Sequence, residues 1–170
     1  MTPKMKTIEL FLIYRVESDI GVETSVPAGS IMRAGFEELE RSVASWPGVS
    51  VHPHRFAGRE FRFGKAEIGH IHAFGIVDIP FPRATRDALV AGGLAEEHRW
   101  LPNSGWVTFS FQSSRQLPHV LWLMRLSYLR YALKQAPDPQ QFLDEESRTW
   151  GLGSQFISLL QQFVPRPSSP

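Results

Sequence analysis

The sequence contains no cysteine, which excludes disulfide bonds, thiolate catalysis and cysteine-ligated zinc. An excess of charge of one sign is also missing, because 18 Lys and Arg residues face 17 Asp and Glu residues. A chain this close to neutral has no general electrostatic attraction for nucleic acid or for an anionic membrane. We therefore disfavour a nucleic-acid partner, and the lack of cysteine fits a reducing compartment.

No run of about 20 apolar residues, the length that a membrane-spanning helix requires, occurs in the chain. The apolar segment at residues 8–14 is short and contains Glu9, and no small-residue cleavage site precedes Glu17. We therefore do not interpret it as a signal peptide. The expectation is a soluble, cytoplasmic protein with no membrane partner.

Several catalytic signatures are absent as well. The sequence has no Gly-x-Ser-x-Gly elbow, no phosphate-binding P-loop, no dinucleotide fingerprint and no His-Glu-x-x-His motif. These absences weigh against the common hydrolases, nucleoside triphosphatases and nicotinamide-dependent enzymes. They leave the cofactor, if there is one, unidentified.

What the chain does contain is typical of one globular domain. Its 170 residues are 42% hydrophobic and 12% aromatic, enough to form a core of ordinary size. We predict a single domain over residues 1–164, in which residues 7–16 form a short element. Residues 165–170, which are rich in proline and serine, are expected to be a disordered tail.

Apolar residues at helical spacing predict the helices. A first helix is expected from Ser30, which can cap it, to Trp46, where Pro47 and Gly48 end it. A long and very apolar helix is expected at residues 118–134, packed on the sheet. Shorter helices are predicted from residue 82 or 83 to 90, at 138–150 after a capping Asp138, and at 154–163.

Alternating apolar and polar residues predict strands at 49–54, 61–72, 76–79, 95–101 and 106–112. Pro53 places the first of them at the edge of a sheet, because proline cannot donate to a central ladder. A turn at Gly64 and Lys65 would divide the second segment and pair Phe63 with Ala66 and Phe61 with Ile68. The predicted class is α+β, with a twisted antiparallel sheet and helices packed on one face.

The candidate site begins with Glu67, His70 and His72. In a regular strand His70 and His72 would share a face with Ile68 and would point into the core. A bulge at Gly69 would change the alternation, so that Ile68 faces the core while Glu67, His70 and His72 share the polar face. We predict the bulged arrangement because it spares both imidazoles from burial without partners.

Asp78 lies one predicted strand further along, and His98 and Trp100 lie in another, so that all three can converge on the same site. His70 and His72, spaced i and i+2, are a workable pair of metal ligands. They are equally suited to proton transfer or to hydrogen bonding with a non-metal ligand. A third reading is that they hydrogen-bond only to other protein groups.

The remaining histidines and tryptophans receive simpler interpretations. His52 and His54, on the predicted edge strand, are expected at the surface. His119 is interpreted as a residue at the start of a helix. Trp100 and Trp106 are expected to line the core or the pocket, where each indole N–H needs a partner.

An ordered set of motifs between about residues 47 and 133 resembles the luciferase-domain family. The motifs are Gly58-Arg59-Glu60-Phe61, Glu67-Ile68-Gly69-His70-Ile71-His72, Asp78-Ile79-Pro80-Phe81-Pro82, His98-Arg99-Trp100-Leu101-Pro102, Ser104-Gly105-Trp106-Val107 and Leu126-Ser127-Tyr128. The family's name implies oxygen-dependent, light-emitting oxidation. The resemblance assigns no catalytic role and implies only that Glu67, His70, His72, Asp78 and His98 lie in family motifs.

The last two of these motifs are also similar to YjbR-type double-wing proteins, which would imply a small α+β fold and DNA binding. The function predicted from the sequence is a small-molecule-binding domain with a His/carboxylate pocket. A luciferase-type oxidoreductase and a double-wing nucleic-acid binder are the alternatives.

Overall fold

The computed structural model describes residues 28–72 and 75–166. The element predicted at 7–16 lies outside these residues, as does most of the predicted tail. The helices are α1 (Ala28–Ala44), α2 (Arg83–Ala91), α3 (Leu117–Ala132), α4 (Pro139–Trp150) and α5 (Ser154–Gln161), and a 3-10 turn, Ser114–Gln116, precedes α3. The strands are β1 (Val49–His54), β2 (Gly58–Phe63), β3 (Ala66–Ile71), β4 (Ile76–Pro80), β5 (Glu96–Glu97) and β6 (Trp106–Ser110).

The strands form one open sheet in the order β1-β2-β3-β4-β6-β5, and every neighbouring pair is antiparallel. The predicted α+β class with an antiparallel sheet is confirmed. β1, which contains Pro53, is an edge strand as predicted, because its only partner in the described sheet is β2.

The helix predicted at residues 118–134 is confirmed as α3. It packs against β2, β3 and β4, and α1 packs against β1, β2 and α3. The buried residues Leu123, Met124 and Leu126 of α3 share one core with Ile68 and Val77 of the sheet. Ser30 lies within α1 and not before it, so its predicted role as a cap is wrong. None of the helices within the described ranges is long and apolar enough to cross a membrane.

The β2–β3 hairpin contains a bulge. Phe63 pairs with Ala66 as predicted, but Phe61 pairs with Gly69 and not with Ile68. The register passes from Arg62 opposite Glu67 to Phe61 opposite Gly69, so that Ile68 is the extra residue. The predicted pairing of Phe61 with Ile68 is wrong because it assumed a regular ladder on both sides of the turn.

The strand predicted at residues 95–101 is much shorter than predicted. Only Glu96 and Glu97 are strand residues, and a turn follows. In that turn the backbone N–H groups of Trp100 and Leu101 donate to His98 Nδ1, at 3.1 and 3.2 Å. Because these two backbone N–H groups donate to the His98 side chain, they are not available for hydrogen bonds to a neighbouring strand.

Candidate functional site

A row of directly paired polar residues crosses all the strands of the described sheet. Six residues take part, one from each strand, in the order His52, Glu60, His70, Asp78, Thr108 and Glu96. Directly paired residues project from the same face of a sheet. The row therefore gathers imidazoles and carboxylates on one face, and His70 and Asp78 lie near its middle.

Asp78 is the centre of this group. Its Oδ2 lies 3.4 Å from His70 Nε2, 3.3 Å from His72 Nε2 and 3.7 Å from His98 Nε2. The Thr108 hydroxyl donates to Oδ1 at 2.5 Å. Burial alone would raise the pKa of Asp78, but the hydrogen bonds from His70 and Thr108 and the nearby histidine charges hold that pKa below its usual value. The carboxyl is therefore ionised at neutral pH.

His70 lies between two carboxylates, as the bulged arrangement predicts. Its Nδ1 is 2.5 Å from Glu67 Oε1, and its Nε2 faces Asp78. Burial would lower the pKa of His70, yet the hydrogen bonds and charges of Asp78 and Glu67 outweigh it and raise the pKa to about 9. The protein alone thus holds His70 as an imidazolium at neutral pH.

The pKa of His72 is shifted in the opposite direction to that of His70. Burial and the charge of His70 lower its pKa below the ordinary value, so the ring is neutral. Its Nε2 faces Asp78, whereas its Nδ1 is buried without a hydrogen-bond partner among the described residues. A charged imidazolium and a neutral imidazole therefore both face the same oxygen of Asp78.

His98 is fixed in one tautomer by the turn that contains it. Its Nδ1 accepts the two backbone N–H groups of Trp100 and Leu101, so in the neutral ring the proton is on Nε2. That nitrogen points at Asp78 Oδ2 from 3.7 Å. His98 therefore faces the Asp78 carboxylate without a hydrogen bond to it, and its nearby charge helps to lower the pKa of Asp78.

His54 belongs to the cluster, a role that was not expected from the sequence, while its side chain stays partly exposed. Its ring stacks on His70, with centroids 4.0 Å apart and planes 19° apart. Its Nδ1 lies 3.5 Å from Glu60 Oε2. The hydrogen bond from Arg62 lowers the pKa of Glu60, against the effect of burial, so that His54 faces a carboxylate anion.

Sequence reasoning missed three residues of the site, which are His54, Glu60 and Thr108. The pairing of neighbouring strands is the one signal that could have found them. His54 and Glu60 stand on consecutive strands of a hairpin, and its pairing of His54 with Gly58 puts Glu60 diagonally opposite the histidine. Thr108 could be found in the same way, from the pairing of β4 with β6. In both cases the signal depends on the register.

The two tryptophans behave differently from each other. The Trp106 ring lies 5.4 Å from the His70 ring and 6.1 Å from the His98 ring, centroid to centroid, and lines the cluster as expected. Trp100 is 77% exposed, so it does not lie in the core, which was one of the two positions expected for it. It meets the site through its backbone N–H. Phe56, also 77% exposed, has its ring 6.3 Å from that of His72.

The geometry of the cluster suits a cation as well as an organic ligand. One ring nitrogen from each of His54, His70 and His72 can be chosen so that the three lie within 4.8 Å of one another. The side chains of His54 and His72 remain 18% and 22% exposed, which leaves the cluster open to solvent on their side.

A separate groove lies between the start of α4 and the residues after α5. It is lined by residues that include Lys134, Asp138, Gln140, Gln161 and Phe163, and by none of the cluster residues. The cluster therefore forms no part of this groove, and it reaches solvent on the polar face of the sheet through His54 and His72.

The family model described as Luciferase domain matches residues 65–127. No curated protein and no solved structure matches the chain. The matched stretch runs from the turn before β3 into α3 and contains Glu67, His70, His72, Asp78 and His98, whereas His54 and Glu60 precede it. The resemblance of the sequence to the luciferase-domain family is thereby confirmed over residues 65–127.

Proposed function

We propose that this protein binds a small organic molecule at the cluster of His54, His70, His72 and Asp78. The observation that carries the proposal is the convergence of His70, His72 and His98 on the single carboxylate Asp78. Buried ionic groups are expensive, and apolar residues of similar volume generally stabilise a fold as well or better. Ionised side chains that a protein retains where the cluster reaches solvent therefore point to recognition or chemistry.

The cluster offers complementary polar groups to one ligand. The imidazolium of His70 and the neutral ring of His72 have pKa values displaced in opposite directions. The positive charge of His70 attracts an anionic or electron-rich oxygen of a ligand, and a ligand hydroxyl can donate a hydrogen bond to the neutral ring of His72. The first interaction favours carboxylates, and the two together favour phenols and enols.

An apolar group lies next to these polar groups. The large exposed ring of Phe56 stands beside His72. Its backbone has φ 56°, and Ala57 has φ 58°, while Gly58 N–H donates to Arg55 O at 3.1 Å. This is a type I′ turn, which Asn-Gly normally occupies, so two ordinary side chains are held in an unfavourable conformation that presents Phe56 to solvent. We infer that the ligand has a flat apolar body next to its acidic group.

The test uses 2-naphthoate as a probe, because it joins a flat apolar body to one carboxylate. We expect saturable binding by isothermal titration calorimetry, weakened at least about tenfold in His72→Ala and in Phe56→Ser. His52→Ala is the matched control, since His52 lies on the same face of β1 but bonds to Ser50 Oγ. Equal affinity in all four proteins would contradict the proposal.

A second candidate function is a luciferase-type oxidation, in which dioxygen would oxidise the bound organic molecule. It is favoured by the family match over His70, His72 and Asp78 and by the neutral imidazole of His72, which can accept a proton from a phenol or enol. Oxygen consumption that depends on added substrate and is lost in His70→Ala would support it. Substrate binding without oxygen consumption would leave the binding function alone.

A further inference from the structure

We propose that His54, His70 and His72 together bind one divalent transition-metal ion. Three ring nitrogens, one per residue, lie within 4.8 Å of one another. Ligands about 2.0–2.1 Å from a tetrahedral ion are roughly 3.3–3.4 Å apart, so the three nitrogens must come closer by up to about 1.5 Å to share an ion. The proposal extends the proposed function at the same site and adds a cofactor to it.

Carboxylates already orient two of these rings. Glu67 Oε1 is 2.5 Å from His70 Nδ1, and Glu60 Oε2 is 3.5 Å from His54 Nδ1. A carboxylate that accepts the Nδ1 proton is the usual second contact of a metal-binding histidine. It leaves Nε2 to bind the ion, which in His70 requires that the Nε2 proton facing Asp78 be lost on metal binding. The sheet therefore supplies both the ligands and the groups that set their tautomers.

The third ring, that of His72, has one nitrogen without a hydrogen-bond partner among the described residues. His72 Nε2 faces Asp78 Oδ2 at 3.3 Å, while His72 Nδ1 is buried and has no partner among the described residues. Buried polar atoms are nearly always paired. A metal ion on Nδ1 would satisfy that nitrogen, and Asp78 would then accept the Nε2 proton, as Glu67 and Glu60 do for the other two rings.

The surroundings also balance the charge of a cation. Glu60 contacts His54, Glu67 contacts His70, and Asp78 contacts both His70 and His72, so three carboxylates surround the place where the ion would sit. Imidazole ligands favour zinc, iron, cobalt, nickel or copper over magnesium or calcium. Three protein ligands leave a fourth position for water or for an oxygen atom of the organic ligand.

Metal entry requires one local movement. The His54 and His70 rings are stacked, with planes only 19° apart, whereas an ion lies close to the plane of each imidazole that binds it. The His54 ring must therefore turn away from the stack. It is the more exposed of the two side chains, at 18% against 10%, and its carboxylate contact is the longer one.

The test uses the untagged full-length chain, treated with EDTA and dialysed, and titrated with Co²⁺ and Zn²⁺. We expect one ion per chain by native mass spectrometry and a visible Co²⁺ absorption band typical of nitrogen ligands. The affinity for Zn²⁺ is expected to fall at least about a hundredfold in His72→Ala and in His54→Ala. Glu67→Gln should cost about 10–100-fold, the usual effect of losing a second contact of this kind. His52→Ala is the control on the same strand, and circular dichroism checks that each variant is folded.

The outcomes separate this inference from the proposed function. Stoichiometric binding that the cluster variants abolish and His52→Ala retains would support it. No Co²⁺ band, or ions bound equally by all variants, would overturn it. If 2-naphthoate still binds to the EDTA-treated protein in that case, the metal site is wrong and the binding function stands. If the metal binds and the probe does not, the proposed ligand class is wrong and the metal site stands.

Discussion

Gly69 of β3 lies directly against Met124 of α3: a Cβ atom added to Gly69 would stand 2.7 Å from Met124 Sδ and 3.2 Å from the backbone oxygen of Asp78. The φ of Gly69 is +150°, which L-residues rarely adopt. This contact and this conformation allow the bulge that keeps Ile68 and Ile71 in the core, with His70 and His72 on the polar face. The site thus depends on one glycine that packs against the main helix.

Gly69→Ala should lower the free energy of unfolding by about 2–4 kcal/mol, because it adds a steric clash to an unfavourable backbone conformation. Urea denaturation measures the loss. Gly93→Ala is the control, since Gly93 also has a positive φ, of +64°, but no atom within 4 Å of the added methyl group. It should cost only about 1 kcal/mol. Equal losses in the two variants would show that packing against Met124 is unimportant.

Substitutions in the turn that contains Phe56 should change stability and ligand binding in opposite directions. The double variant Phe56→Asn/Ala57→Gly supplies the residues that a type I′ turn prefers, and we expect it to raise the free energy of unfolding by about 1 kcal/mol. It should also weaken 2-naphthoate binding about tenfold. Ala57→Gly alone keeps the ring and should keep the affinity. An affinity unaffected by removal of the Phe56 ring would show that Phe56 is not part of the site.

His70 should make the metal-free protein lose stability at alkaline pH. Its pKa in the folded state, about 9, lies above its ordinary value of 6.5. Its contribution is therefore complete below about pH 6.5 and is lost as the pH rises to 9. Urea midpoints of the EDTA-treated protein should fall over this window, and the fall should be smaller in His70→Gln. An NMR titration that finds a His70 pKa below 7 would refute this.

A second buried ion pair, between Arg125 and Glu146, should matter for the fold and not for the site. Arg125 donates to both carboxylate oxygens of Glu146 at 2.6 Å and lies over the rings of Trp46 and Tyr128, with its guanidinium carbon 4.8 and 4.5 Å from their centroids. Glu146→Ala leaves a buried cation unpaired, which costs about 3–5 kcal/mol. Thermal unfolding checks this. A variant that also changes Zn²⁺ affinity while folded would contradict the separation of the two roles.

Much of the arrangement around β2 and β3 could be predicted from the sequence. The alternation of Phe61 and Phe63, the Gly64 turn and a glycine at position 69 together predict a hairpin with a change of parity. This placed Glu67, His70 and His72 together on the polar face, beside Asp78. These features are local, because each depends on neighbouring residues and on the two-residue period of a strand.

The parts that sequence reasoning missed depend on longer-range register or on competing side-chain bonds. His54 is brought to His70 by the pairing of β1 with β2 across a turn in which Phe56 and Ala57 have positive φ values, and neither residue type signals such a turn. Trp100 follows an alternating pattern that predicts a strand. The ring of His98 captures its N–H group instead, and no periodicity reveals this.

The most direct test of the binding proposal is ¹⁵N and ¹³C NMR mapping of 2-naphthoate on the full-length protein. The account predicts saturable shifts centred on the rings of His54, His70 and His72, on Asp78 and on Phe56, which are abolished in His72→Ala and unchanged in His52→Ala. Shifts confined to the groove that contains Lys134, Gln140 and Phe163, or no shifts at millimolar probe, would contradict it.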